Sequence, residues 1–181
     1  PYTMADMIQG EHYRSVALSP SGKYLVTTSY YMKPNGQAQY TTIIQNMVTG
    51  EELLHRNDYQ SLNWLADKDI LYYTRPSGTG KELVMFNPDT RQERILADNL
   101  PDGGFTIAPN EEYLIFSKVE TGKGSSNGLK MLQNPDDRMP NWRNRSSLWR
   151  YDIKTGVLQR LSFGSTNVYL ADISDDSRQL L

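Results

Sequence analysis

The sequence predicts an all-β fold, a partial β-propeller of antiparallel four-stranded blades, about three and a half of them. Three observations predict it. One turn-and-strand unit, Ser19-Pro20-Ser21-Gly22-Lys23 leading into Tyr24 to Thr28, recurs at Leu65 to Thr74, Ala108 to Ser117 and Ser174 to Leu181. A second turn recurs with Gly50, Arg91 and Gly156 at matching places. The spacing between successive copies is roughly 40–45 residues where no insertion intervenes, room for four short strands per unit. One four-stranded unit cannot bury both its faces, and packing such units side by side solves that problem.

The repeated turn has a physical basis. Pro20 presets φ for the first central position, and Gly22 tolerates the positive φ that such turns require. Tyr24 to Thr28 is aromatic and β-branched, a composition suited to a pleated surface.

Taken in order, residues 1–12 form a leader, in which Thr3 can cap one short helical turn before Gly10. Blade 1 spans 13–57, with strands at Tyr13 to Leu18, Tyr24 to Thr28 and Tyr40 to Asn46, and a fourth beginning at Glu51. Lys33-Pro34-Asn35-Gly36 is its loop. Blade 2 spans 58–100, with strands at Ser61 to Leu65, Ile70 to Thr74, Glu82 to Phe86 and Gln92 to Leu96, and a loop over Pro76 to Gly80. Blade 3 spans 101–165, with strands at Gly104 to Ile107, Tyr113 to Ser117, Ser147 to Asp152 and Val157 to Leu161. An insertion, 119–146, delays its third strand. An incomplete blade 4 covers 166–181, with a strand at Val168 to Ile173 and the start of another. Closed propellers have about 4–8 blades, so the reading expects a fragment of a longer protein. It also expects self-association through open blade edges.

The bulk numbers narrow the function. A net charge of −2 argues against a general nucleic-acid binder. The chain has no Cys, which removes disulfides, thiolate nucleophiles and cysteine metal sites. No apolar run approaches the roughly 20 residues of a membrane helix. No cofactor or metal is expected. The acidic clusters Asp67-Lys68-Asp69, Asp136-Asp137 and Asp175-Asp176 lack the alternating carboxylates and closing glutamate of a cation loop, and the first and last fall in the repeated turn.

Two motifs look catalytic without the context that catalysis needs. Gly124-Ser125-Ser126-Asn127-Gly128 matches G-x-S-x-G, but the motif needs a strand before it and a helix after it. Here glycine-rich sequence surrounds it, and the two histidines, His12 and His55, precede it. Gly78-Thr79-Gly80-Lys81 is followed by Glu82 where a phosphate loop has Ser or Thr, and reads as a hairpin loop. No catalytic residue is therefore assigned within the chain.

The repeat pattern, a hydrophobic residue then Ser/Asp-Pro-Asp/Ser-Gly-Lys then a hydrophobic strand, resembles the WD40-like repeat of the TolB group over about residues 13–181. It lacks the Gly-His and Trp-Asp pairs of true WD40 repeats. Leu132 to Leu148, with its Asn134-Pro135-Asp136-Asp137-Arg138-Met139-Pro140-Asn141-Trp142-Arg143 core, resembles a segment in the N-terminal propellers of bacterial prolyl oligopeptidase-family (S9) serine peptidases. That resemblance implies a propeller that gates peptides and docks an α/β-hydrolase domain, with the nucleophile beyond Leu181, in a periplasmic or secreted protein. The alternative is a TolB-like propeller acting as a protein-binding scaffold in the cell envelope.

The candidate binding residues all lie in or beside the insertion: Asp136, Asp137, Arg138, Trp142, Arg143 and Arg145, with Trp149 and Arg150 following. Arg and Trp dominate interface hot spots. Arg143 or Arg145 can stack on Trp142 or fork onto Asp136 or Asp137. Two readings stand: an internal salt-bridged cap holding a long loop on its own blade, or a contact with another domain or a peptide.

Overall fold

A computed structural model describes residues 3–4, 7, 10–58, 61–78, 80–121, 144–164 and 166–181. The chain divides into two compact units, Pro1–Leu100 and Pro101–Leu181.

The first unit holds two sheets. β1 (His12–Leu18), β2 (Tyr24–Met32), β3 (Ala38–Asn46) and β4 (Glu52–Arg56) lie side by side in chain order. β5 (Asn63–Trp64), β6 (Leu71–Ser77), β7 (Gly80–Asn87) and β8 (Gln92–Ala97) repeat the arrangement. The second unit holds β9 (Gly104–Ile107), β10 (Tyr113–Thr121), β11 (Asn144–Asp152) and β12 (Leu158–Arg160), again in sequential order. Every pairing is antiparallel. Three tandem four-stranded meanders are the blades of a partial β-propeller.

The repeated turn closes by one backbone bond in all four copies. Ser19 N–H donates to Tyr24 O at 2.9 Å, Leu65 to Ile70 at 2.9 Å, Ala108 to Tyr113 at 3.0 Å and Ser174 to Gln179 at 3.0 Å. Gly22 sits at φ 76°, and its equivalents Glu111 and Ser177 hold the same left-handed region at 59° and 58°. The second repeated turn is equally regular. The amides of Gly50, Arg91 and Gly156 donate to the carbonyls of Asn46, Asn87 and Asp152, each at 2.8 Å. The side-chain oxygens of those same Asx residues accept backbone amides inside the turn. The Asx residue thus replaces the ladder bonds lost where the chain reverses.

Strand alternation sets the cores. In β2, Tyr24, Val26 and Thr28 are buried while Leu25 and Thr27 are half-buried. Val26 and Ile44 of the first blade pack on Leu71, Tyr73, Val84 and Phe86 of the second, with Leu53, Leu54, Leu62 and Trp64 at the margin. β7 is buried on both faces from Glu82 to Phe86, as its unbroken apolar run Leu83-Val84-Met85-Phe86 implies. In the second unit, Ala108, Tyr113, Ile115 and Leu148 pack on Ile173, with Leu161, Val168 and Leu170 around them.

Three elements differ from the sequence expectation. The Pro76–Gly80 loop is a tight hairpin instead: Pro76 pairs with Lys81 and Ser77 with Gly80. Pro76 is tolerated because β5 pairs only as far as Tyr72, so the missing N–H of Pro76 faces an open edge. Ser61 to Leu65 narrows to the two-residue β5. The expected strand Val168 to Ile173 is not a ladder. It forms a single bridge, Ile173 to Leu180, flanked by amide bonds between Asp172 and Leu181. Its upstream end turns aside, where Val168 N–H donates to Ser146 O at 2.9 Å. Around the insertion, β10 and β11 stay paired out to Thr121 and Asn144.

Candidate functional site

An antiparallel meander places its first and third hairpins at one end and its second hairpin at the other. The two ends of these blades carry different chemistry.

At the end with the repeated turns, side chains within each unit tie one blade to the segment that follows it. In the first unit, Ser21 N–H donates to Asp69 Oδ1 at 3.0 Å, and the Ser21 hydroxyl bonds the other carboxylate oxygen. Tyr24 Oη and Lys23 Nζ both reach Asp89 Oδ1 at 2.5 Å. The Tyr24 ring stacks on Trp64 with centroids 6.3 Å apart, and Trp64 Nε1 donates to Ala17 O at 3.2 Å. The second unit repeats the device with different partners. Asn110 N–H, equivalent to that of Ser21, donates to Ser177 Oγ at 3.0 Å. Tyr113, equivalent to Tyr24, donates its hydroxyl to Ser177 O at 2.8 Å.

These contacts shape the titrations. Hydrogen bonds from Lys23 and then Tyr24 hold the Asp89 carboxyl below its ordinary range. The bond to Asp89 correspondingly raises Lys23. Burial pushes the Asp69 carboxyl up, but the Ser21 hydroxyl and amide outweigh it, so Asp69 also titrates low. Lys23, Tyr24, Asp69 and Asp89 each have a partner here, which marks them as structural.

The opposite end carries the hairpins that vary. In the first unit, His12, Tyr30 and Tyr40 form a cross-strand aromatic row, with centroids 5.4 and 5.8 Å apart and Arg14 over Tyr40. In the second blade, Arg75 pairs with Glu82 and with Glu93, the latter at 2.9 Å, and the Tyr73 hydroxyl donates to Glu93. Burial and that bond push Tyr73 up to about 12.

In the second unit, this end is where the insertion leaves β10 and returns as β11. Trp149 is the centre of a cluster at its root. Lys118 Nζ lies 5.3 Å from the indole centroid and the Arg160 guanidinium 5.8 Å. Trp149 Nε1 donates to the buried Ser147 hydroxyl at 2.9 Å, which in turn approaches Glu120 Oε1 at 3.2 Å. Arg160 pairs with Glu120 at 3.2 Å and also lies over Phe163, itself 74% exposed. The face thus grades from buried Phe116 and Tyr151 to a cationic aromatic shelf formed by Trp149, Lys118 and Arg160.

Of the residues singled out in the sequence, Asp136, Asp137, Arg138, Trp142 and Arg143 lie outside the described residues, as does Ser126. Arg145 is on β11, directly opposite Glu120. Arg150 lies 4.7 Å from the Tyr113 centroid, on the other face of β11 from Trp149. Lys118, Glu120 and Arg160 gave no local signal: they join Trp149 only through strand register. His12 lies against Tyr30, and His55 against Glu52 at 3.3 Å. Among the described residues, no three His, Asp or Glu side chains are grouped to hold a metal ion, and no helix is long and apolar enough to cross a membrane. Gly80 and Lys81 of the phosphate-loop-like match lie on β7, paired with Ser77 and Pro76 of β6.

No protein-family model and no curated protein matches the sequence. Solved structures do. Acylaminoacyl peptidase from Pyrococcus horikoshii matches 88% of this chain at 8% identity with a TM-score of 0.55. TolB from Acinetobacter baumannii matches 94% of it at 18% identity and TM-score 0.46. The β-propeller domain of the trilobed protease from Pyrococcus furiosus matches 82% at 9% identity and TM-score 0.42. This chain spans 37% of that TolB, 26% of the acylaminoacyl peptidase and 41% of the trilobed protease domain. At these identities the likeness is one of fold, and over 88% of its length the chain is similar in fold to part of the acylaminoacyl peptidase.

Proposed function

We propose that this chain is a non-catalytic propeller segment of an S9-type serine peptidase, which docks a hydrolase domain and gates peptides. The observation that carries the reading is the root of the insertion. The one blade whose repeat is interrupted is also the one that resembles an S9 propeller segment, at Leu132 to Leu148, and its last residues form the Trp149 strand. The fold likeness to acylaminoacyl peptidase supports it. A Trp flanked by Lys118 and Arg160, with polar neighbours already satisfied, is the composition of an interface anchor. In the resembled architecture, the chemistry belongs to the hydrolase domain and this chain supplies access and orientation.

The test has two arms. This chain alone turns over no fluorogenic peptide; turnover that disappears with Ser126→Ala would place the nucleophile here and overturn the reading. In a protein where this sequence precedes a hydrolase domain, Trp149→Ala changes KM for long peptides and leaves a short ester substrate unaffected. Identical length selectivity in the variant contradicts a gating role.

A further inference from the structure

The hairpin between β2 and β3 carries the one asparagine among the described residues that a glycine follows, Asn35-Gly36. Pro34, Asn35 and Gly36 form a three-residue loop closed by two backbone bonds. Gly36 N–H donates to Lys33 O at 2.9 Å, and Lys33 N–H donates to Gln37 O at 2.9 Å. Gly36 stands at φ 79°, the left-handed position that ends such a loop. A Cβ built there meets nothing within 4 Å, so the dihedral rather than space calls for glycine. Pro34 to Gln37 are all exposed.

Asparagine is thermolabile where the next main-chain nitrogen can reach its side-chain carbon. A following Cβ obstructs that approach, and glycine has none. Asn87 shows the opposite case, since Pro88 after it has no N–H at all. At Asn35 the reacting groups are held only by bonds open to solvent. Asn35 Oδ1 accepts Gln37 N–H at 3.0 Å, and Asn35 Nδ2 donates to Gln37 Oε1 at 3.2 Å. Water competes for each of these bonds and for the Gly36 amide, so the hairpin tip opens far more readily than the strands behind it.

We propose that Asn35 is a site of spontaneous deamidation. With the tip open, the Gly36 nitrogen gives up its proton and attacks Asn35 Cγ. The Cγ–Nδ2 bond breaks, ammonia leaves with that proton, and a five-membered succinimide remains. Water then opens the ring. Breaking the bond from Cγ to the Gly36 nitrogen gives aspartate; breaking the bond from the main-chain carbon gives isoaspartate, whose chain runs through Cβ and Cγ. Both products lose the amide donor to Gln37 and gain a carboxylate. Isoaspartate also adds a main-chain atom between Lys33 and Gln37, so the loop no longer matches its two closing bonds. The change falls at the end of the blade opposite the repeated turns and leaves those turns intact.

The full chain is incubated at mildly alkaline pH, folded or in urea, and mapped peptide by peptide by mass spectrometry, with isoaspartyl methyltransferase marking isoaspartate. Among the described asparagines, Asn35 is expected to convert first, with isoaspartate among its products and a rate that rises with pH. The folded chain converts several-fold more slowly than the chain in urea. Gln37→Ala, which keeps the main-chain amide but removes Oε1, speeds conversion of the folded chain. Gly36→Ala, compared in urea where the turn plays no part, slows it several-fold. An Asn35 that keeps its amide in the folded chain while another described asparagine converts overturns the proposal. So does a rate in urea that Gly36→Ala leaves unchanged, since the succinimide route requires the glycine.

Discussion

Replacing Tyr113 with Phe isolates the tie between the third blade and the hairpin that follows it. The ring stays, so burial of the side chain and the Arg150 guanidinium over it are retained. What goes is the hydroxyl that donates to Ser177 O at 2.8 Å. Ser177 is only 7% exposed, so water does not readily replace the lost donor. A neutral hydrogen bond contributes about 0.5–1.5 kcal/mol net, and orphaning a buried acceptor costs about 1–3 kcal/mol, so a loss of roughly 1–2 kcal/mol is expected. Urea unfolding measures it as a lower midpoint with an unchanged slope, and faster exchange of the Asn110 amide, which bonds Ser177 Oγ, localises it. Tyr24→Phe is the internal control. Its acceptor, Asp89, keeps Lys23 and has a side chain 55% exposed, so that substitution costs less. A loss below about 0.3 kcal/mol for Tyr113→Phe, or a larger loss for Tyr24→Phe, refutes the idea that buried hydroxyl ties hold consecutive blades.

Two further outcomes follow from the same geometry. Leu71 is fully buried where the first two blades meet, so Leu71→Ala lowers stability by about 2–5 kcal/mol, read from the urea midpoint. Acid weakens the first unit. Asp69 and Asp89 titrate below their ordinary value when folded, so the unfolded chain binds their protons first as pH falls. Their stabilisation is complete above the ordinary aspartate pKa of about 3.9 and is lost as pH drops through the folded values. Thermal unfolding from pH 7 to pH 2 shows this decline, and Asp89→Asn flattens it.

The blade grammar was legible because it is local. A Pro or Ala, a polar pair and an aromatic or β-branched run mark the first three copies, the fourth keeps the polar turn alone, and the structure closes all four turns by the same bond. The Asx-x-x-Thr pattern at Asn46, Asn87 and Asp152 is local too, and its side-chain bonds span only two or three residues. Pro76 misled for a reason that no local window contains: whether a strand position tolerates proline depends on where the neighbouring β5 stops. The ties from Ser21 to Asp69 and from Tyr24 to Asp89 bridge 48 and 65 residues, and serine, tyrosine and aspartate in turns carry no mark of such partners. The same holds at the candidate site. Trp149 stood out by residue type, whereas Lys118, Glu120 and Arg160 reach it through antiparallel register alone. The expected stacking of Arg145 on Trp142 concerns a residue outside those described, and Arg145 itself faces Glu120.

The account rests most heavily on one turn made four times. Amide hydrogen exchange at Ser19, Leu65, Ala108 and Ser174 tests it directly, because those four N–H groups close the four copies. The account predicts protection at all four, with Ser19 and Ala108, which lie in the turns tied through Tyr24 and Tyr113, the slowest. Free exchange at both Leu65 and Ser174, with the other two protected, would contradict the four-fold repeat and leave only its first and third copies standing.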